Sequence, residues 1–385
     1  MRVFLRIIYW VFAIVVLLVG GAAWWYVYRP LPQIDGTASL PGLEHEVTVQ
    51  RDQWGVPHIR AASVEDLAEA QGYVMAQDRL WQMDLLRRIG RGQLSEVLGD
   101  KTLLFDRDFR TLRFAQAAER DATLLDDESR KAMNAYARGV NKFIEQHWKN
   151  LPLEFSLLNY KPQPWQPSDT LVISAYMYRT LTNTWEKKFN RAKVTERAGA
   201  DRAKELFAED ATMDHFVVGD PDVRDDGSQR TAADSDDDDD DDDEMEPDTV
   251  LKAGLWSNAG GAQTESPADL TSALAQSVSE FVRESQSEIR QGLGSNNWVV
   301  SGTHTATGKP LLANDTHLEL MIPAIWYQMH LTAPGYNVKG FALPGAPLII
   351  IGHNDRIAWG FTNNGADVQD LYSETLIPTR RTNTG

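Results

Sequence analysis

The residues that most readily suggest chemistry are Gly294 and Ser295, in the stretch GLGSNNWVVSG at 292–302. A serine hydroxyl is a weak nucleophile and needs a base to take its proton. If the chain is cut just before the serine, the new α-amine, whose unperturbed pKa is about 7.7–8.0, can be that base. The hydroxyl would attack the Gly294 carbonyl, and a residue without Cβ tolerates the strain this requires. Most Gly-Ser pairs are only turns, so the surrounding sequence has to decide.

The surrounding sequence changes character at this bond. Residues 209–294 have the composition of a spacer, with the run DSDDDDDDDDEMEPD at 234–248 and a helical pattern only at 268–290. Such an acidic run repels itself and cannot form a packed core. From residue 295 onwards, short segments with a period of two are divided by turn residues, which predicts antiparallel strands. A disposable spacer therefore ends where a β region begins. Loose calcium binding is the other reading of the acidic run.

Residues 31–208 are predicted to form a mainly helical domain. The strongest signal is at 63–98, where Ser63 is a candidate N-cap, Asp66 follows three residues later and the apolar residues have helical spacing. Gly90 to Gly92 are expected to break this helix before a second one. Further helices are predicted at 109–121, 127–147, 169–184 and 187–208.

Residues 1–30 predict a membrane-directed helix. Arg2 and Arg6 precede an uncharged run from Ile7 to Tyr28, which as a helix is about 33 Å long and can cross a bilayer core. The early arginines favour a cytoplasmic N-terminus, and the aromatic residues at its end resemble an interfacial belt. The alternative is a cleavable signal peptide, since GGAA at 20–23 offers small residues for a peptidase. Either reading predicts a periplasmic location, anchored to the inner membrane or soluble.

Composition excludes several classes of function. The chain has no cysteine, so disulfides, zinc thiolate sites and cysteine nucleophiles are excluded. The net charge is −17, and the acidic run accounts for most of it. A nucleic-acid-binding protein needs a basic face, so the sequence predicts no nucleic-acid partner.

Several long motifs resemble the penicillin acylase family of N-terminal-nucleophile hydrolases. They are VQRDQWGVPHIRA, AQGYVMAQDRLWQMDLLRRIGRGQLSEVLG, GSNNWVVSG, GKPLLANDTHLEL, PGAPLIIIGHNDRIAWGFTN and DVQDLY. They occur in the family's order and cover about 45–206 and 294–373. The resemblance implies an α+β fold, an αββα sandwich with a mainly helical α-chain domain. It also implies one precursor that is cut into α and β chains, which are then partners. Residues 295–385 would be the first part of the β chain.

The resemblance assigns roles to the reacting groups. Gly294-Ser295 is the implied self-cleavage bond. Ser295 is then the implied nucleophile and, through its new amine, the implied general base. Asn363 is the implied donor of an oxyanion-hole backbone N–H. The second oxyanion donor, an asparagine, and a supporting arginine lie further downstream in the family than residue 385. We therefore expect the 385 residues to be a truncated precursor that is inactive alone.

His317 falls where the resemblance separates branches of the family. Glutaryl-cephalosporin and acyl-homoserine lactone acylases carry histidine there, and penicillin G acylases carry glutamine. A histidine can hydrogen-bond the serine amine and tune its basicity; otherwise it is a solvated residue at a strand end. The resemblance implies substrate contacts at Arg179, Tyr176, Leu318 and Trp326.

The resemblance also implies a structural calcium ion that pins the α and β chains together. Ca²⁺ prefers several hard oxygen ligands. The stretch GADVQDLY supplies Asp367, Asp370 and the Gln369 carbonyl, and the family's α-chain glutamate falls on Glu186. In most proteins two such aspartates would belong only to a solvated loop.

The sequence thus favours an amidohydrolase acting on small N-acyl amides. Acyl-homoserine lactones are the first expectation, because of His317, and β-lactam side chains the second. The alternative is a membrane-anchored, unprocessed pseudoenzyme that binds a ligand or a protein. A conventional serine hydrolase is disfavoured because no Gly-x-Ser-x-Gly nucleophile motif occurs in the chain.

Overall fold

The computed structural model describes residues 2–40, 42–182, 185–207, 294–318, 321–363 and 368–372, and single positions between 272 and 280. The side chains of residues 186 and 187 are not described. The chain divides into two compact units. The first comprises 1–181 and 255–364, and the second comprises 182–254 and 365–385. The acidic run lies outside the described residues.

Described positions between 272 and 280 of the first unit are helical, and eight further α-helices of its described part have defined bounds. They are α1 (Arg2–Ala23), α2 (Val64–Arg91), α3 (Ser95–Leu98), α4 (Leu103–Leu112), α5 (Phe114–Leu124), α6 (Asp127–Gln146), α7 (Leu153–Leu157) and α8 (Pro167–Leu181). The second unit contributes α9 (Trp185–Ala198) and α10 (Ala200–Leu206). A π-helical turn at Trp24–Tyr28 continues α1. The described residues between 31 and 208 are therefore mainly helical, and the bounds of the predicted domain stay a prediction.

Helix α1 and its π-helical turn are long and apolar enough to cross a membrane, and none of that segment is buried. A signal sequence has the same length and composition. Within the described residues this is the one helix with that property. The choice between an anchor and a cleaved signal stays open.

Local signals set the ends of α2. The Ser63 hydroxyl accepts the Asp66 backbone N–H at 3.0 Å, which is the predicted N-cap. Glu65 and Asp66 lie in the first turn, where the helix dipole favours negative charge. At the other end Gly92 adopts a left-handed conformation with φ 63° and stops the helix. Residues close together in the chain therefore determine where this helix begins and ends.

Two glycines allow α2 and α6 to approach closely. A Cβ on Gly139 would clash with the Glu69 carbonyl oxygen, and a Cβ on Gly72 would clash with the Tyr136 carbonyl oxygen. The two helices consequently pack backbone against backbone at these positions. Any larger residue there has to push the helices apart.

A buried ion-pair network joins α2 to α8. Asp84 accepts hydrogen bonds from Arg87, Arg88 and the Tyr160 hydroxyl, the last at 2.6 Å. Asp169 accepts from Arg87 at 3.2 Å and Arg91 at 2.7 Å. Burial, and then the Asp84 carboxylate, raise the pKa of Tyr160, so its hydroxyl stays protonated and can donate. With these partners the buried charges are compensated, and the network ties the first turn of α8, which carries Asp169, to α2.

A six-stranded sheet joins strands from both sides of the acidic run. Its strands are β1 (Thr48–Arg51), β2 (Pro57–Arg60), β5 (Tyr327–Ala333), β6 (Tyr336–Ala342), β7 (Ile351–His353) and β8 (Ala358–Trp359), in the order β1-β2-β5-β6-β7-β8. The β2–β5 pair is parallel and all other neighbours are antiparallel. Buried and half-buried residues alternate along β5, and the buried Met329 and Leu331 pack in the same core as α2.

The remaining two strands pair with each other. They are β3 (Gly294–Val300) and β4 (Leu311–His317), antiparallel, with Ser295 opposite Thr316. The predicted switch to short strands after residue 295 is confirmed by the described residues. The described residues as a whole contain both helices and strands, and the four-layer αββα sandwich stays a prediction.

Candidate active site

Ser295 lies near the start of β3 with its hydroxyl facing a backbone N–H. Its side chain is half-buried, and its Oγ accepts the N–H of Asn363 at 3.2 Å. A substrate carbonyl attacked by this Oγ would bring its oxygen close to the same N–H. A donor at 2.7–3.1 Å from a developing oxyanion is the geometry that stabilises it. The two residues to which the resemblance assigned the nucleophile and the backbone donor are thus adjacent.

Asn363 is held at its side chain as well as at its backbone. Its Nδ2 donates to the carbonyl oxygen of Leu181 at 2.6 Å. Leu181 is the last residue of α8, and a C-terminal carbonyl of a helix lacks an intrahelical partner. The bond therefore uses an available acceptor to place the segment that carries the predicted donor to the oxyanion.

His317 lies at the end of β4, opposite Gly294 rather than Ser295. Its Nδ1 is 3.5 Å from where a Cβ on Gly294 would lie, so the imidazole borders the bond that is predicted to be cut. Its Nε2 is 3.2 Å from the exposed Asp315 carboxylate. Control of the serine amine by His317 stays a prediction, because the amine forms only after cleavage.

Among the predicted substrate contacts, Trp326 is hydrogen-bonded to a strand of the site. Its indole N–H donates to Thr316 Oγ1 at 3.0 Å, and Thr316 is the strand partner of Ser295. Leu318 follows directly after His317. Tyr176 and Arg179 are buried on α8, where the Tyr176 ring packs 6.1 Å from that of Phe109. Their role in binding a substrate stays a prediction.

One functional candidate was missed in the sequence, namely Asn314 on β4. Its Oδ1 accepts the backbone N–H of Phe361 at 3.0 Å. Its Nδ2 donates to the carbonyl oxygens of Asn296 at 3.0 Å and Phe361 at 3.1 Å. The residue lies in the quoted stretch GKPLLANDTHLEL, but an asparagine in a strand has no spacing that marks it.

The residues predicted to bind calcium are only partly described. Asp367 and the side chain of Glu186 lie outside the described residues. The Gln369 carbonyl and the Asp370 carboxylate both accept hydrogen bonds from the Lys188 ammonium, each at 2.6 Å. A calcium ion would have to displace this ammonium to reach these two oxygens. Within the described part of the chain, no cluster of three or more His, Asp or Glu residues suits a metal, and the calcium site stays a prediction.

Comparisons with known proteins identify the family of the chain. The sequence model of the penicillin amidase family matches residues 46–384. Penicillin acylase 2 proenzyme of Pseudomonas sp. (strain SE83) is 32% identical over 355 residues, which are 91% of this chain and 40% of that protein. Acyl-homoserine lactone acylase QuiP of Pseudomonas aeruginosa is 28% identical, over 90% of this chain and 36% of that protein.

Two penicillin G acylases are also similar. The Escherichia coli protein is 26% identical over 88% of this chain and 42% of its own length. The solved structure of a thermostable penicillin G acylase from Alcaligenes faecalis is 30% identical, with a TM-score of 0.41 over 46% of this chain and 98% of that one. This chain spans about two fifths of the length of the curated relatives it matches. On the extent of the family match, the chain belongs to the penicillin amidase family.

Proposed function

We propose that the protein is an amide hydrolase that removes the acyl group from small N-acyl amides, with Ser295 as an N-terminal nucleophile released by self-cleavage. The observation that carries the proposal is the 3.2 Å hydrogen bond from the Asn363 N–H to the Ser295 hydroxyl. Membership of the penicillin amidase family supports the reaction class. The proposal concerns the complete gene product.

The first reaction is cleavage of the chain. The Ser295 hydroxyl attacks the Gly294 carbonyl and replaces the amide by an ester, which frees the serine amine. Water then hydrolyses the ester and leaves Ser295 as the first residue of a β chain. His317 borders this bond, since its strand partner is Gly294.

The second reaction uses the new terminus on a substrate. The free amine of Ser295 takes the hydroxyl proton, and the hydroxyl attacks the amide carbonyl. The Asn363 N–H supports the negative oxygen of the tetrahedral intermediate. The intermediate expels the amine product and leaves an acyl-enzyme, which water hydrolyses.

Acyl-homoserine lactones are the proposed substrate class, and β-lactams with an amide side chain are the second. His317 supports this order, and the relatives named acyl-homoserine lactone acylase and penicillin acylase support the two classes without ranking them. The apolar helix α1 supports a location at the periplasmic side of the inner membrane or free in the periplasm. A structural calcium ion bound through Glu186, Asp367, Gln369 and Asp370 remains part of the proposal.

A panel assay tests the function. The complete gene product and its Ser295→Ala variant are incubated with glutaryl, phenylacetyl and C6–C12 acyl-homoserine lactone amides, and acyl release is followed by mass spectrometry. We expect release only by the parent protein, with an order of preference that His317→Gln alters. Binding of an amide without release, by parent and variant alike, would support the pseudoenzyme and overturn the proposal.

A further inference from the structure

One side chain connects the two segments that carry the reacting groups. Asn314 on β4 is hydrogen-bonded to Asn296, the residue after the nucleophile, and to Phe361, two residues before the oxyanion donor. We propose that Asn314 is a positioning residue that sets the distance between the Ser295 hydroxyl and the Asn363 N–H. This inference rests on the proposed function.

The Asn314 side chain bonds the backbone of Phe361 in the way a neighbouring strand would. The Asn314 amide accepts the Phe361 N–H and donates to the Phe361 carbonyl oxygen, at 3.0 and 3.1 Å. These are the two bonds that a neighbouring strand would make to one residue. Two residues of extended chain span only about 6.6 Å, so a displacement at Phe361 is passed on to Asn363 with little loss.

The contact to Asn296 ties the residue after the nucleophile to the same amide group. The second Nδ2 proton goes to the Asn296 carbonyl oxygen at 3.0 Å. An amide group is planar, so its three bonds have fixed relative directions. The nucleophile segment and the oxyanion segment are therefore aligned through one rigid group.

The backbone next to Phe361 is shaped to receive this amide. A Cβ on Gly360 would lie 2.6 Å from Asn314 Oδ1 and 2.7 Å from Asn314 Cβ, closer than real Cβ contacts. Only glycine leaves room for the side chain in its present place. This steric fit is independent of the hydrogen bonds and indicates the same close contact.

The chemistry of the three bonds requires an amide. Asn314→Leu has a similar shape but neither donates nor accepts. Asn314→Asp keeps the acceptor for the Phe361 N–H, but it loses both donors and turns a negative charge towards two carbonyl oxygens. Neither variant can align the two segments.

The test compares these two variants with the parent protein, using the complete gene product, and Asn134→Leu serves as control. Asn134 is exposed on α6 and undergoes the same chemical change. We expect kcat on an N-acyl amide to fall about 10–100-fold, because a misplacement of about 1 Å can cost 10²-fold. KM should stay within about threefold, since substrate contacts are unchanged. The control should keep both parameters.

Hydrogen exchange provides a readout that does not depend on activity. Phe361 is exposed, with 58% of its surface accessible, yet its N–H is bonded to Asn314. The peptide containing this amide should exchange faster in both variants than in the parent and control. Unchanged exchange together with unchanged kcat would overturn the positioning role. A parent protein that is uncut and inactive would instead refute the proposed function, and the exchange comparison would still decide whether Asn314 holds the segment.

Discussion

Removing the Asn363 N–H is the most informative perturbation of the proposed oxyanion site. Asn363→Pro deletes this donor, because proline has no backbone N–H, and it also deletes the side-chain bond to Leu181 O. Asn363→Ala deletes only the side-chain bond, at 2.6 Å, and keeps the N–H that lies 3.2 Å from Ser295 Oγ. The pair of variants therefore isolates the backbone donor.

The expected magnitudes of the two effects differ. Loss of one oxyanion donor costs about 10²–10³ in kcat. Loss of one neutral hydrogen bond costs about 0.5–1.5 kcal/mol, which is at most about tenfold in rate. We therefore expect Asn363→Ala to keep at least about a tenth of the parent kcat, and Asn363→Pro to fall a further tenfold or more below it.

The assay is steady-state kinetics on purified complete gene product, with the rate of precursor cleavage followed on denaturing gels. Cleavage attacks a carbonyl with the same hydroxyl, so it should slow in the same order. Circular dichroism and melting temperature control for folding. Equal kcat values for the proline and alanine variants, both properly folded, would show that this N–H does not serve as an oxyanion donor.

Three further predictions concern pH, packing and the cation site. Hydrolysis should fall as the pH drops through the pKa of the Ser295 amine, about 7.7–8.0 when unperturbed, because the protonated amine is no base; a kcat/KM that stays flat from pH 9 to 6 would contradict this. Gly139→Ala should lower the free energy of unfolding by about 1–3 kcal/mol or more, since its methyl group meets the Glu69 carbonyl; denaturant unfolding that matches the parent would refute the close contact. Calcium should raise the melting temperature of Lys188→Met more than that of the parent, because the ammonium no longer competes for Gln369 O and Asp370; Lys193→Met on the same helix is the control, and no calcium effect in any protein would refute the calcium site.

Locally encoded features could be predicted from the sequence. The cap at Ser63, the end of α2 at Gly92 and the strands after residue 295 follow from residues close together in the chain. The pairing of Ser295 with Asn363 was expected only through resemblance to a family, because 68 residues separate them.

Long-range features had no signal in the sequence. The parallel pairing of β2 with β5 brings His58 beside His330, which are 272 residues apart. Asn314 and Lys188 are ordinary polar residues by type and spacing. Asn314 meets the backbone groups of Asn296 and Phe361, and Lys188 meets the Gln369 carbonyl as well as the Asp370 carboxylate. Such partners become visible only after the chain has folded, because most of these hydrogen bonds are made to backbone atoms, which carry no sequence identity.

The most direct test of the central claim is the mass and N-terminal sequence of the chains in the mature, active protein. The account predicts two chains, one of which begins Ser-Asn-Asn-Trp at residue 295, and a single uncut chain for Ser295→Ala. A mature protein that hydrolyses N-acyl amides at full rate with the Gly294-Ser295 bond intact would contradict it.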